Sequence, residues 1–348
     1  MNSNMLFNGE TVVGQGAAFA VLNPATEQTI VEINSATVEQ VDQAVQAARA
    51  AFKTWQHVSD QSINESFLKI AQDIRAESAE IAKLITTEQG KPLALAQFEV
   101  EAGANWIEYI TSLEVPVETI PDPSGKTIKV YNRPLGVVAS ITPWNWPFMI
   151  AIWHFFPALK TKNTVVNKPS EFTPLSTIKL VEIINQHLPK GVCSIVLGGG
   201  NVGAKLTSHP DIQKVTFTGS TLTGQRILQG AITDLKSVVL ELGGNDVGIV
   251  LEDADLDEVV AKIFQSAFLN AGQTCAALKR LYVHESVYEA LTEKLVQIAN
   301  AQVIGDGADP EVTFGPVQNK MQYDKVNALI ADAVARGGQV LTASKALP

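Results

Sequence analysis

The chain has 348 residues, 46% of them hydrophobic, enough to bury a large core and long enough that two domains are expected rather than one. Its 36 acidic against 26 basic residues give a formal charge of −10, with Lys and Arg scattered along the chain, which argues against nucleic acid and anionic membrane as partners. The two cysteines, Cys193 and Cys275, lie far apart with no CxxC pair or His cluster nearby, so neither a disulfide framework nor a metal site is expected.

The first residues, MNSNMLFNGE, carry no basic stretch followed by an apolar run, and the expected compartment is the reducing cytoplasm. Thr37 and Gln40 have capping-box spacing and open a helix expected to run to Trp55, with Val38, Val41, Val45 and Ala48 on one face. A second long helical region is expected from about Ser62 to Thr87, stopped by Gly90, Lys91 and Pro92. Ser124 to Pro134 alternates polar and apolar residues around Ile128 and Val130, as a half-exposed strand or hairpin arm does. The longest apolar stretch, Trp146 to Leu159, is interrupted by His154 and by prolines and is too short to span a membrane.

From Gly136 onward short β-branched runs alternate with helical stretches: GVVASIT, NTVVNKP, SIVLGGG, KVTFTG, SVVLELGG and VGIVLED. That alternation marks an α/β fold with a parallel sheet and crossover helices. The chain closes on GGQVLTASKALP, a strand-like run followed by a loop.

Several strand ends carry residues with chemical potential. Gly198 to Gly203 contains GxGxxG, a dinucleotide fingerprint in form. The next strand, KVTFTGST, has no carboxylate at its end to bind ribose, and a structural strand-to-helix turn is the better local reading. Gly219-Ser220-Thr221-Leu222-Thr223-Gly224 opens another helix, whose N-terminus can hold a pyrophosphate or simply be capped by Ser220 or Thr221. In Lys168-Pro169-Ser170-Glu171 a carboxylate follows a strand, where it can bind both hydroxyls of a ribose or form a surface ion pair. Glu241 ends the strand SVVL before two glycines, as a general base or as a strand-end Glu satisfied by backbone donors. Cys275 lies among small residues in NAGQTCAALKR and is read as a nucleophile or an inert thiol; Cys193, in GVCSIV, has the inert character. Asn145 in PWNW can donate its amide to an oxyanion or serve as a turn residue.

Taken in order, ITPWNWPF (141 to 148), NKPSEFTP (167 to 174), FTGSTLTG (217 to 224), LELGGNDVGIV (240 to 250), NAGQTCAALKR (270 to 280) and FGPVQN (314 to 319), with EQGKP (88 to 92), resemble the aldehyde dehydrogenase superfamily. The resemblance implies a Rossmann-type cofactor domain over residues 1 to 242, interrupted by an oligomerisation arm at about 121 to 139, and an α/β catalytic domain over 243 to 348. It implies Cys275 as nucleophile, Glu241 as general base and Asn145 as oxyanion donor in the oxidation of an aldehyde to a carboxylic acid. It also implies NAD rather than NADP as cofactor, held by Ile141, Thr142, Pro143, Trp144, Lys168, Ser170, Glu171, Gly203, Gly219, Ser220, Gly224, Leu242 and Gly243.

Full-length members of that family are homo-oligomers and continue past the equivalent of Pro348 with an EExFGP motif that has no match here, so the chain is expected to be C-terminally truncated, with the later strands of the catalytic domain missing. Two alternatives are therefore carried with the main reading: a truncated relative that does not turn over, and a cysteine esterase that uses Cys275 and Glu241 without cofactor. Smaller departures are Asn167, where an apolar residue is common before the lysine, and Asn245-Asp246 after ELGG.

Overall fold

Threonine at an N-cap accepts a hydrogen bond from the third residue of the helix that follows, and Thr37 does so from the Gln40 N–H while the Gln40 side chain returns the bond. In this computed structural model, which describes residues 2–342, the N-terminal part comprises β1 (Met5–Phe7), β2 (Glu10–Val12), β3 (Ala18–Leu22), β4 (Thr29–Asn34) and the capped helix α1 (Val38–Trp55). Val41, Val45 and Ala48 are buried on α1, but Val38, at its first position, is 54% exposed.

The expected long helical region is two helices, α2 (Asp60–Ala76) and α3 (Ser78–Gln89), separated at Glu77 with φ −100° and ψ 11°. No proline or glycine makes this break. Tertiary contacts do: α2 and α3 each bury an isoleucine-rich face, and Lys179 forms an ion pair with Glu77 at the joint. Gly90 ends α3 with φ 94°, in the left-handed region that favours glycine. A helix not singled out in the sequence follows, α4 (Leu93–Thr111), which buries Ala96, Val100, Ala104 and Ile107.

The chain then forms an exposed antiparallel hairpin, β5 (Glu118–Pro121) and β6 (Thr127–Val130). It lies earlier than the span of about 121 to 139 expected for an arm, because the apolar run from Val137 is already buried in the central sheet as β7 (Val137–Ile141). Next come α5 (Pro147–Lys160), β8 (Thr164–Lys168), α6 (Leu175–His187), β9 (Cys193–Ile195), α7 (Gly200–Thr207), β10 (Ile212–Thr218), α8 (Thr221–Ala231) and β11 (Ser237–Glu241). Beyond these lie β12 (Asp246–Val250), α9 (Leu256–Phe268), β13 (Leu278–Val283), α10 (Tyr288–Asn300) and α11 (Lys320–Ala335). The strand-like run GGQVL does not form a strand: a strand exists only against a partner, and among the described residues none pairs with 338 to 342, while 343 to 348 lie outside them.

The sheet order β11-β10-β7-β8-β9-β1-β2 decides where a ligand can sit. The five strands from β11 to β9 are parallel. From β7 the chain crosses to β8 and β9, then returns past β7 to β10 and β11, so the order reverses between β7 and β10. Such a switch point opens a crevice at the carboxyl ends of the strands. The register brings those ends level: Ile141 pairs with Lys168 and with Phe217, and Thr218 pairs with Glu241.

The large apolar core surrounds this sheet. A second, smaller cluster around Val250, Val260 and Leu291 lies between the two-stranded parallel sheet β12-β13 and the helices α9 and α10. Among the described residues no helix is long and apolar enough to cross a membrane.

Candidate active site

The turn after β10 is built as a helix N-terminus. Ser220 is the N-cap of α8, accepting from the Thr223 N–H at 3.2 Å, and it satisfies one of the four N–H groups that a helix start leaves unpaired. The other first-turn groups keep the positive end of the helix dipole. Gly219 donates its N–H to the Glu241 carbonyl at 3.0 Å, which fixes this turn to the end of β11. A Cβ at Gly224 would lie 2.8 Å from Leu242 Cδ2, so a glycine is what lets α8 approach the ELGG strand. Around Gly200 and Gly243 nothing would meet a Cβ within 4 Å, leaving open space beside the strand ends.

Lys168, at the end of β8, is buried, and its ammonium donates to the Gly198 carbonyl at 3.0 Å and lies 3.3 Å from Glu171. Burial pushes its pKa down, opposed by the Glu171 carboxylate. Gly203 packs along the Lys168 stem and Gly199 faces a Glu171 oxygen, so the glycine-rich turn serves as a wall of the Lys168–Glu171 corner. Ser170 is buried with its hydroxyl turned to the Phe172 N–H. Ile141 and Thr142 are buried at the end of β7, and the half-buried Trp144 accepts from Thr173 through its carbonyl.

Asn167 has a local explanation. Its amide donates to the Ser140 carbonyl and hydroxyl, both at 3.1 Å, and Ser140 in turn meets His154 Nδ1 at 3.0 Å. His154 Nε2 meets the Thr218 hydroxyl at 2.9 Å. Burial pushes the His154 pKa down to about 3, so the ring is neutral and bridges β7 and β10 under the switch point as a hydrogen-bonding group.

The cysteine loop reaches this crevice through backbone in an unusual conformation. After α9, Asn270, Ala271 and Gly272 all take positive φ, at 56°, 55° and 74°. Asparagine and glycine adopt that region readily; alanine does so at a cost. The reversal brings Gln273 and Thr274 onto the PWNW turn, where the Asn145 amide donates to the Gln273 carbonyl at 2.8 Å and Trp146 Nε1 donates to the Thr274 hydroxyl at 3.0 Å. Cys275, the next residue, is exposed, whereas Cys193 is buried and its thiol is pushed up by burial. A Cβ at Gly244 would lie 2.9 Å from the Cys275 carbonyl, so ELGG passes directly against the loop. Glu241 itself is exposed at the end of β11.

Several polar residues here carried no recognised role in the sequence. Gln273 accepts from the Gln318 N–H at 2.9 Å and donates to the Asn270 carbonyl at 3.1 Å, joining FGPVQN to the cysteine loop. The Gln318 amide also donates to the Glu88 carbonyl at 3.2 Å. Phe314 packs against Phe264 and Phe268 of α9, which anchors the same segment. A Cβ at Gly315 would lie 1.9 Å from the Gly90 carbonyl, so EQGKP and FGPVQN are in backbone contact. The only local signal for this convergence was the pair of glycine-containing motifs, each without chemistry of its own. A cavity of about 890 Å³ lies elsewhere, lined by Tyr131, Arg133, Trp153 and Thr216.

A family model described as the aldehyde dehydrogenase family matches residues 12–347. The chain belongs to the aldehyde dehydrogenase family. It is 40% identical over 335 residues to a probable aldehyde dehydrogenase of a Pseudomonas species, covering 95% of this chain and 69% of that protein. It is 38% identical over 347 residues to the succinate-semialdehyde dehydrogenase [NADP(+)] GabD of Escherichia coli, covering 98% of this chain and 72% of the relative. Among solved structures, PnpE of Pseudomonas sp. WBC-3 in complex with nicotinamide adenine dinucleotide superimposes with a TM-score of 0.97 at 36% identity, over 100% of this chain and 72% of that one. The aldehyde dehydrogenase fold expected from the sequence is therefore the fold of this protein.

Proposed function

We propose that this aldehyde dehydrogenase oxidises an aldehyde to a carboxylic acid, with Cys275 as nucleophile, Asn145 as oxyanion donor, Glu241 as general base and NAD as the hydride acceptor. The observation that carries the reading is the 2.8 Å hydrogen bond from the Asn145 amide to Gln273, which ties an amide donor to the backbone two positions before an exposed cysteine. An amide nitrogen has two N–H groups. One is engaged by Gln273; the other is left for the oxygen of a bound carbonyl.

Cys275 attacks the aldehyde carbon as a thiolate, and the oxygen of the resulting thiohemiacetal is held by the Asn145 amide and the Cys275 N–H. A bound NAD would supply the hydride acceptor that this carbon needs to become a thioester. Glu241 then takes a proton from water, the hydroxide attacks the thioester, and the acid leaves as the Cys275 thiolate is restored.

The groups at the strand ends suit a dinucleotide: a helix N-terminus at Ser220, open space by Gly200 and Gly243, and a cation and a carboxylate at Lys168 and Glu171. Glu171 favours NAD, since a carboxylate accepts from ribose hydroxyls and repels a 2′-phosphate. In this reading residues 1 to 242 form the cofactor-binding domain, with the hairpin as an arm, and 243 to 348 contribute the catalytic loop.

The test is NADH formation by the purified chain with a panel of aliphatic and aromatic aldehydes, beside Cys275→Ser. Turnover that the substitution abolishes supports the assignment. A folded chain that produces no NADH, or a serine variant that still does, overturns it.

A further inference from the structure

The Asn145 carbonyl lies in the turn between β7 and α5, and it accepts from two side chains that arrive from different parts of the chain. Asn270 donates at 2.9 Å from the cysteine loop, and Lys91 donates at 2.9 Å from EQGKP. The Lys91 ammonium also lies 2.5 Å from Glu99 and 3.6 Å from the centre of the Trp146 ring. Both side chains of the Lys91–Glu99 pair are fully buried. The other oxygen of Glu99 accepts the N–H groups of Phe148 and Met149 at 3.1 Å, capping the first turn of α5. Lys91 is itself held by backbone contact, since a Cβ at Gly307 would lie 2.5 Å from the Lys91 carbonyl.

Burying an ion pair is costly, and an apolar pair of equal volume commonly stabilises a fold as well. What an apolar pair cannot do is donate to the Asn145 carbonyl from one side while capping α5 from the other. Burial pushes the Lys91 pKa down, and Glu99, then Glu88, oppose that push.

We propose that Lys91 and Glu99 are positioning residues for the oxyanion donor: the pair fixes the Asn145 backbone, so that its side chain spans from Gln273 to the substrate oxygen. The inference rests on the role given to Asn145 above. It predicts that the pair and Asn145 act as one unit, whose effects do not multiply.

The experiment uses the full chain in four forms: unmodified, Asn145→Ala, the pair variant Lys91→Met with Glu99→Gln, which leaves no unpaired buried charge, and all three substitutions together. One readout is the burst of p-nitrophenolate from p-nitrophenyl acetate, which reports acylation of Cys275 and needs neither cofactor nor Glu241. The other is hydrogen exchange across residues 142 to 149 and 270 to 277. The pair variant is expected to slow the burst by about 10- to 100-fold, the triple variant to be no slower than Asn145→Ala, and protection to fall in both segments while α1 and α6 keep theirs. Losses that multiply, or a burst at the unmodified rate in the pair variant while Asn145→Ala is slow, overturn the positioning inference alone. A burst at the unmodified rate in Asn145→Ala overturns the oxyanion role and with it the inference. Exchange needs no turnover, so even for a chain that forms no acyl-enzyme, unchanged protection in both segments overturns the positioning. If the pair variant does not fold, Lys91→Gln with Glu99→Gln is read in the same way, the shorter neutral side chain at 91 losing the reach to Asn145 and no buried charge being left unpaired.

Discussion

Asn145 and Gln273 are joined by a 2.8 Å hydrogen bond that spans the crevice between the PWNW turn and the cysteine loop. Replacing Asn145 with alanine removes both that tie and the proposed oxyanion donor. Loss of one such donor costs roughly 3 to 4 kcal/mol in the transition state, so kcat should fall by about two to three orders of magnitude. Steady-state rates with a saturating aldehyde decide it, and a fall under about tenfold removes Asn145 from the chemistry.

The two thiols should separate cleanly. Cys275 is exposed while Cys193 is buried with its pKa raised, so iodoacetamide should modify Cys275 and leave Cys193 intact. Cys193→Ala should keep turnover within about twofold, its effect confined to a small core cavity. Peptide mapping after alkylation checks the first expectation and NADH formation the second; modification of Cys193 in the folded chain would falsify the contrast.

Glu241→Gln separates the two halves of the reaction. Thioester formation does not need the carboxylate, but deprotonation of water does. Stopped-flow absorbance should therefore show a burst of NADH comparable to the enzyme concentration, followed by steady turnover reduced by about 100-fold or more. Steady turnover at the unmodified rate rules out Glu241 as the base.

Much of the fold was legible because parallel strands buried on both faces read as uninterrupted β-branched runs, as in GVVASI and TVVN, with a glycine or proline turn where each ends. Those turns all fall at carboxyl ends, so the motifs they carry had to line one edge of the sheet once the strands were parallel. Long-range pairing left no such trace. Nothing local to Lys91, Glu99 or Gln273 shows that they meet Asn145 or its neighbours, because each finds its partner across a loop closed only by the whole fold. The break at Glu77 was likewise invisible, being imposed by packing on good helix-forming sequence, and the left-handed Asn270 and Ala271 are carried by residues that alone suggest no reversal.

The Lys168–Glu171 corner predicts cofactor preference. A carboxylate at Glu171 meets a 2′-phosphate with like charge, and Glu171→Gln removes the repulsion while keeping an acceptor for the ribose. The ratio of kcat/KM for NAD over NADP should drop by roughly tenfold, the equivalent of about 1.4 kcal/mol. A ratio unchanged by the substitution places the adenine ribose elsewhere.

Glu88 gives the chain a pH dependence of known sign. It is buried in EQGKP and accepts the Leu175 and Ser176 N–H groups and the Ser176 hydroxyl at the start of α6. Burial outweighs those donors and pushes its pKa from 4.5 up to about 7, with Glu99 adding a smaller rise. Between those two values the folded chain holds a proton that the unfolded chain has already released, so stability is fully present below about pH 4.5 and falls as pH climbs to about 7. The loss amounts to roughly 3 kcal/mol. Glu88→Gln carries no charge at any pH, and its unfolding free energy should lack this decline. Urea unfolding at pH 5 and pH 8 tests it: the difference between the unmodified chain and the variant should shift by about that amount in favour of the variant at the higher pH. Two parallel pH profiles would mean that Glu88 is ionised in the fold, stabilised by the α6 N-terminus against its burial.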